Sequence, residues 1–126
     1  MADRDGIFSN DLAVAAARAA ADKQAERVVV LDVRELIVIT DYFIIASGTS
    51  ERQVKSISEE IEEALRELGA KPIRREGEAG ARWLLLDFID VVVHVFDEEE
   101  RDFYDLERLW SDAPRLAWQR SNAASG

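Results

Sequence analysis

Cysteine is absent from the 126 residues, and histidine occurs once, as His94. Without cysteine the chain cannot form disulfide bonds, thiol nucleophiles or cysteine-ligated zinc sites. A single histidine cannot build the multi-histidine sites that hold catalytic zinc or iron. We therefore expect no metal and no cofactor.

Basic residues are also scarce. There are 16 lysines and arginines against 26 aspartates and glutamates, which gives a formal net charge of −10. A protein that grips a nucleic-acid backbone needs an excess of cations to displace the condensed counterions. Direct DNA binding is therefore disfavoured.

Long apolar runs are missing too. No run approaches the roughly 18 residues of a membrane-spanning helix, and residues 1–5 lack the basic and then apolar order of a signal peptide. The sequence predicts no membrane association and a cytoplasmic location.

Apolar residues make up 48% of the sequence, which is enough for one hydrophobic core. Their pattern predicts, in order, a helix over 12–24, strands over 27–33 and 42–47, a helix from Ser50 to Gly69, a weak strand within 71–76, a hairpin of strands over 83–88 and 91–96, and a helix over 98–110. This order predicts an α/β fold with a mixed β-sheet flanked by helices. We expect a single α/β domain over residues 1–112 and a flexible C-terminal tail over 113–126.

Three placements within this fold follow from the pattern of apolar residues. The alanine-rich first helix has only a thin apolar face, so we expect it to pack at the edge of the domain. The strand over 27–33 is apolar on both faces, which is typical of a strand inside a sheet. Phe103, Leu106 and Trp110 are predicted to form the buried stripe of the last helix.

The segment from Ser47 to Ser50 joins the second strand to a helix start, where free backbone N–H groups favour an anion. We expect a simple turn and helix cap there. The alternative is a nucleotidyltransferase-like enzyme that binds a nucleotide at this turn. Such an enzyme needs carboxylates at alternate positions on one strand to hold two metal ions. Asp87 and Asp90 are three residues apart, so on a straight strand they face opposite ways.

His94 lies in an apolar strand, on the same face as Val92 and Phe96. The sequence around it shows no nucleophile or metal partner. Two interpretations remain: a hydrogen-bonded structural residue, or a residue that contacts a partner.

Acidic residues are concentrated towards the C-terminus, where the segment from Asp97 to Asp112 holds eight acids and two arginines. A solvated helix face explains many of them, because a helix N-terminus stabilises nearby negative charge. Tyr104, however, lies off the apolar stripe and among these acids. An exposed tyrosine beside carboxylates is typical of a surface that recognises a basic protein. Both interpretations remain open.

Phe88 and Ile89 lie in the predicted hairpin turn, where apolar side chains have little core to reach. They form either an exposed tip that marks an interface or a pair tucked under the C-terminal helix.

Three segments have an order and a spacing that a known family shares. They run from Thr40 to Ser50, from Trp83 to Asp87 together with Val91 to Phe96, and from Arg101 to Trp110. With these segments the chain closely resembles the ribosomal silencing factor family, also called Iojap, over about residues 10–112.

The resemblance implies a nucleotidyltransferase-like α/β fold that is non-catalytic. It also implies binding to the large ribosomal subunit through ribosomal protein fourteen, at the face where the small subunit docks. Subunit joining is then blocked and translation is repressed, chiefly under nutrient limitation. A homodimer is expected when the protein is free. The contact residues that the resemblance implies are Trp83, Asp87, Phe88, Asp90, His94, Tyr104 and Glu107.

Two positions depart from the family pattern. Ile89 stands where glycine is common, and a β-branched residue resists the positive φ of a two-residue hairpin turn. We therefore expect a longer or reshaped turn. Ile37 and Val38 replace a polar pair, and they either enter the core or widen a contact surface.

Overall fold

A mixed five-stranded sheet lies at the centre of the chain in the computed structural model, which describes residues 8–77 and 82–119. Its helices and strands are α1 (Ser9–Asp22), β1 (Glu26–Asp32), β2 (Tyr42–Gly48), α2 (Glu51–Glu67), β3 (Arg74–Glu76), β4 (Trp83–Asp87), β5 (Val91–Asp97), α3 (Glu98–Tyr104) and α4 (Leu106–Leu109). This confirms the predicted mixed α/β fold. None of these helices, in the part of the chain described, is long and apolar enough to cross a membrane.

The strands are arranged in the order β1-β2-β5-β4-β3. The central pair, β2 and β5, is parallel, with Ile44 opposite Val93 and Ile45 opposite His94. All the other neighbouring strands are antiparallel. Every residue of β2 is buried, so an apolar layer covers each face of the sheet at its centre.

Helices α1 and α2 form the layer on one face. Four alanines of α1 are fully buried, and their small side chains let α1 lie close to α2 and to the central strands. The prediction of a helix at the edge of the domain was therefore wrong: alanine gives a thin apolar face, but it also allows close packing over the sheet.

Helix α2 is confirmed, with its start fixed by side-chain hydrogen bonds. The hydroxyl of Ser50 accepts from the backbone N–H of Gln53 at 3.1 Å, and the Gln53 side-chain oxygen accepts from the N–H of Thr49 at 2.7 Å. The Gln53 amide also donates to the carbonyls of Lys23 and Gln24, just after α1. One glutamine thus joins the start of α2 to the end of α1.

Strand β1 lies at one edge of the sheet, not inside it as its apolar pattern predicted. A later part of the chain covers its outer side. The backbone N–H of Asp32 donates to the carbonyl of Pro114 at 2.8 Å, and the N–H of Leu116 donates to the carbonyl of Val30 at 2.9 Å. Because this segment closes the edge, Val30 and Leu31 of β1 are buried although the strand lies at the side of the sheet.

We call residues 113–119 the C-terminal segment. The indole N–H of Trp118 continues the pairing by donating to the carbonyl of Val28 at 3.0 Å, and Arg18 of α1 donates to the carbonyl of Trp118. The predicted flexible tail therefore does not describe residues 113–119, which are held along β1. Residues 120–126 lie outside the described part of the chain.

The predicted last helix over 98–110 is divided at Asp105, whose φ of +48° ends α3 and begins α4. This break changes which residues of the predicted stripe are buried. Leu106 and Trp110 pack against the core as predicted, but Phe103 is 78% exposed. The prediction was wrong for Phe103 because one continuous helical period does not extend across the break.

The loop between β1 and β2 contains the two apolar residues that replace the polar pair of the family pattern, and it places them differently. Ile37 is partly buried against the core on the sheet face opposite α1 and α2, while Val38 is fully exposed. One of them therefore enters the core and the other adds apolar surface.

The hairpin turn between β4 and β5 spans residues 88–90, and it is closed by a hydrogen bond across the single residue Ile89. Ile89 adopts φ of +78°, and its N–H donates to the Asp87 carboxylate at 2.9 Å. The N–H of Asp90 donates to the carbonyl of Phe88 at 3.0 Å, across Ile89. A β-branched residue is strained in this conformation.

We predict that Ile89→Gly raises the free energy of unfolding by about 1 kcal/mol, because removing the strain outweighs the extra backbone entropy of glycine. The melting temperature should rise by about 4 °C. Ile89→Ala is the control, since it removes the side chain but keeps a Cβ at positive φ. If the glycine variant melts no higher than the alanine variant, the positive φ at residue 89 does not strain the turn.

Candidate functional site

Six ring-bearing side chains lie together on the sheet face opposite α1 and α2. We call them the aromatic cluster: Phe43, Trp83, His94, Phe96, Tyr104 and Trp110. The centroid of the Trp83 ring lies 5.1 Å from that of Phe96 and 4.7 Å from that of Tyr104. Such packing distances are typical of stabilising aromatic pairs. The cluster joins β2, β4 and β5 to the two C-terminal helices.

His94 is a buried, neutral member of this cluster. It is 8% exposed, and its Nδ1 accepts a hydrogen bond from Nε1 of Trp83 at 3.2 Å. Burial lowers the pKa of His94 from 6.5 to about 4, so the ring is uncharged near neutral pH. This arrangement supports the structural interpretation of His94, because the ring holds the Trp83 indole in position.

Tyr104 and Phe103 form the exposed part of the site. Tyr104 is 43% exposed although one side of its ring packs on Trp83. The Phe103 ring meets that of Tyr104 edge-on at a centroid distance of 5.1 Å and extends further into solvent. Phe103 is thus a candidate contact residue that the sequence placed in the core.

Arg101 anchors α3 from below this surface, and its side chain is 1% exposed. Its Nε donates to the Glu107 carboxylate at 3.1 Å, and its Nη1 donates to the hydroxyl of Ser47 at 3.1 Å and to the carbonyl of Glu26 at 3.3 Å. Glu107 also lies 3.6 Å from Arg115. The resemblance implied a contact role for Glu107, but its carboxylate is directed into this internal ion-pair network.

The predicted contact residues lie in two places. Trp83, His94, Tyr104 and Glu107 belong to or adjoin the aromatic cluster, whereas Asp87, Phe88 and Asp90 lie at the opposite end of the β4–β5 hairpin. The Asp87 carboxylate is 3.6 Å from Arg74 and partly exposed.

Phe88 is 6% exposed and packs in the core beside α1 and α2. Leu86 and Phe88 are two residues apart, so both point to the sheet face that α2 covers. Phe88 therefore forms neither an exposed tip nor a contact under the C-terminal helices. Its implied contact role is therefore corrected. Ile89, next to it, is 48% exposed.

The turn from Ser47 to Ser50 uses its polar groups internally. The Ser47 hydroxyl donates to the carbonyl of Glu26 at 3.0 Å, and the N–H of Thr49 is bound by Gln53. These bonds use groups that a phosphate would need, which favours the turn and helix cap over a nucleotide site. Within residues 8–77 and 82–119, no group of three or more histidine, aspartate or glutamate side chains is placed to hold a metal ion.

Comparison with known proteins extends the resemblance beyond the segments above. A family model described as "Ribosomal silencing factor during starvation" matches residues 8–125. The match therefore includes the C-terminal segment, beyond the limit near residue 112 that the motifs suggested.

Individual relatives and a solved structure agree with this match. The chain is 45% identical over 110 residues to a protein of Halalkalibacterium halodurans named "Ribosomal silencing factor RsfS", covering 87% of this chain and 94% of the relative. It is 46% identical over 99 residues to the protein of that name from Bacillus subtilis, covering 79% and 84% of the two chains. A crystal structure of a Chromobacterium violaceum protein superposes with a TM-score of 0.80 at 30% identity, covering 91% of this chain and 95% of that one.

We predict that acid destabilises the protein through His94 before its carboxylates are protonated. The folded-state pKa of His94, about 4, lies below the unfolded value of 6.5, so its contribution to stability is complete above pH 6.5 and is lost as the pH falls towards 4. The free energy of unfolding should fall by about 2 kcal/mol between about pH 7.5 and pH 5.

The control for this prediction is His94→Asn, which places a non-titrating acceptor near the position of Nδ1. Glu62 and Glu98 have lowered pKa values because they accept hydrogen bonds from Arg75 and Arg27. Their contribution to the free energy of unfolding is therefore lost only at lower pH. Urea unfolding at each pH measures the difference. An unchanged pH slope in His94→Asn would show that His94 is not the titrating group.

We also predict that Glu107→Lys lowers the free energy of unfolding by about 3 to 5 kcal/mol, because it leaves the buried guanidinium of Arg101 facing a second cation. Glu99→Lys is the matched control on α3, since Glu99 is 85% exposed in its ion pair with Arg82 and should cost less than about 1 kcal/mol. If urea unfolding shows that the two variants lose the same free energy of unfolding, Glu107 behaves as an ordinary surface residue.

Proposed function

Since the chain belongs to the ribosomal silencing factor family, we propose that it binds the large ribosomal subunit through ribosomal protein fourteen. In this proposal the bound protein covers the face where the small subunit docks, so it blocks subunit joining and represses translation, chiefly under nutrient limitation. Its relatives carry the name of a silencing factor, which is a regulatory role. The protein acts here by occupying a surface and carries out no chemical step.

The observation that carries this proposal is the exposed aromatic surface that Tyr104 and Phe103 form on Trp83, which we call the aromatic step. Tyrosine and tryptophan supply large contact areas at little cost in side-chain entropy, which is why they are frequent at the centres of interfaces. Trp83 is held from behind by its hydrogen bond to His94. The step is therefore ordered before a partner arrives, which lowers the entropic cost of binding.

The charge around this step suits a basic partner. The segment from Asp97 to Asp112 carries eight of the 26 acids of the chain. The side chains of Glu99 and Asp102 are 85% and 71% exposed on α3, beside Phe103 and Tyr104, and they pair with Arg82 and Arg27. Acidic side chains around an aromatic centre attract a basic protein over distance and disfavour RNA phosphates.

Asp87 and Asp90 belong to the proposed surface as a second group. They are partly exposed at the far end of the β4–β5 hairpin. A partner that spans the face of β4 that carries the partly exposed Trp83, Leu85 and Asp87 contacts the aromatic step at one end and these two acids at the other.

Two further parts of the proposal concern the free protein. It forms a homodimer when it is not bound to the ribosome, and it is located in the cytoplasm. Sedimentation equilibrium of the free protein tests the first, and fractionation of cells tests the second. A monomer at micromolar concentration would remove the dimer from the proposal without affecting subunit binding.

We predict that Tyr104→Ala weakens binding to isolated large subunits about thirtyfold, as expected when a central tyrosine contributing about 2 kcal/mol is removed. Phe8→Ala is the matched control, because Phe8 is 44% exposed and precedes α1 on the other side of the sheet. Affinity is measured by co-sedimentation, and joining by adding small subunits and following the 70S peak on a sucrose gradient.

The wild-type protein and Phe8→Ala should both prevent joining, and their affinity should fall as salt rises because the contact is partly electrostatic. If saturating wild-type protein leaves subunit joining unchanged, the proposed function is wrong. If Tyr104→Ala binds as tightly as Phe8→Ala, the aromatic step is not the contact surface.

A further inference from the structure

We propose that Arg101 is a positioning residue, which with Glu107 fixes the break between α3 and α4 and so holds Tyr104 in its exposed place on Trp83. This inference rests on the proposed function, because it concerns the same surface and names two residues that lie behind it. It also makes a statement about the free protein that can be tested without ribosomes.

Arg101 and Glu107 are six residues apart in the chain. In a continuous helix, residues six apart are separated by about 9 Å along the axis and lie on different sides, so their side chains do not meet. Yet Nε of Arg101 lies 3.1 Å and Nη2 lies 3.0 Å from the two carboxylate oxygens of Glu107. This two-pronged contact forms only when the chain is broken between them, at Asp105.

Arg101 also binds the two strands behind α3. Its Nη1 binds the hydroxyl of Ser47, near the end of β2, and the carbonyl of Glu26, at the start of β1. The guanidinium therefore ties α3 to two strands and ties α4 to α3. A planar group with a fixed fork of donors defines direction as well as distance, which an ammonium group does not.

The break between α3 and α4 affects where Tyr104 and Phe103 lie. Tyr104 follows Arg101 by three residues on α3, so the two share a side of that helix. With the break in place, Tyr104 packs on Trp83 and Phe103 faces solvent. A continuous helix would instead direct Phe103 towards the core, together with Leu106. The ion pair thus selects which aromatic residue packs on the sheet and which faces a partner.

The test replaces the pair with apolar residues of similar length, in Arg101→Met/Glu107→Met. Replacing both partners removes the buried charges together, which leaves folding largely intact in other proteins. Ser47 still donates to the carbonyl of Glu26 in this variant, so that carbonyl keeps a partner. The matched control is Glu63→Met/Arg66→Met, an exposed ion pair on α2 with the same change in composition.

Two measurements are made on each variant. Proton NMR cross-peaks between the Tyr104 and Trp83 rings report the packing in the free protein, and co-sedimentation reports affinity for large subunits. We expect the double variant at 101 and 107 to lose the cross-peaks and to bind at least about tenfold more weakly. The control variant should keep both the cross-peaks and the affinity of the wild type.

Each alternative outcome contradicts the inference. Weaker binding with intact cross-peaks would make Glu107 a direct contact, and lost cross-peaks with unchanged binding would make the position of Tyr104 unimportant. If the double variant does not fold, Arg101→Lys is measured in its place, since lysine keeps the charge but lacks the fork. Intact cross-peaks in Arg101→Lys would then overturn the proposal.

A wild-type protein that shows the cross-peaks but does not bind large subunits refutes the proposed function, and with it any role of Arg101 in binding. The NMR comparison would in that case still decide whether Arg101 positions Tyr104.

Discussion

Burial of β2 on both faces is the constraint on which the rest of the structure depends. All seven residues of this strand are buried, so the sheet needs an apolar layer on each side at its centre. Two regular helices supply one layer. The other is assembled from short pieces, namely α3, α4 and Ala113 just after them, and aromatic rings fill the space between them. Because short pieces cover the sheet incompletely, this is also where aromatic side chains reach solvent.

Features that depend on local pattern could be predicted from the sequence. Helix α2 has a capping serine and an apolar stripe, and β2, β4 and β5 are short apolar runs with clear ends. The place of β1 in the sheet could not be predicted, because its outer side is covered by Pro114 and Leu116, far away in the chain. An apolar pattern shows that both faces are covered, but not what covers them.

The site was predicted in part, and its errors have physical causes. Trp83, His94 and Tyr104, which the resemblance names as contact residues, lie together in the structure, and their contact with a partner stays a prediction. Phe103 was assigned to the core because helical spacing was continued through Asp105. Aspartate tolerates the left-handed conformation better than most residues, so its place there was a usable signal. The second signal was Arg101, one of only two cations among the eight acids from Asp97 to Asp112.

The C-terminal segment has a consequence for the synthesis of the chain. Trp118 binds the carbonyl of Val28, ninety residues earlier in the sequence. The outer edge of β1 therefore stays unpaired on the nascent chain until those ninety residues have been made. Unpaired strand edges are prone to association with other chains. During translation the fold is therefore exposed to misassembly until the C-terminal segment closes that edge.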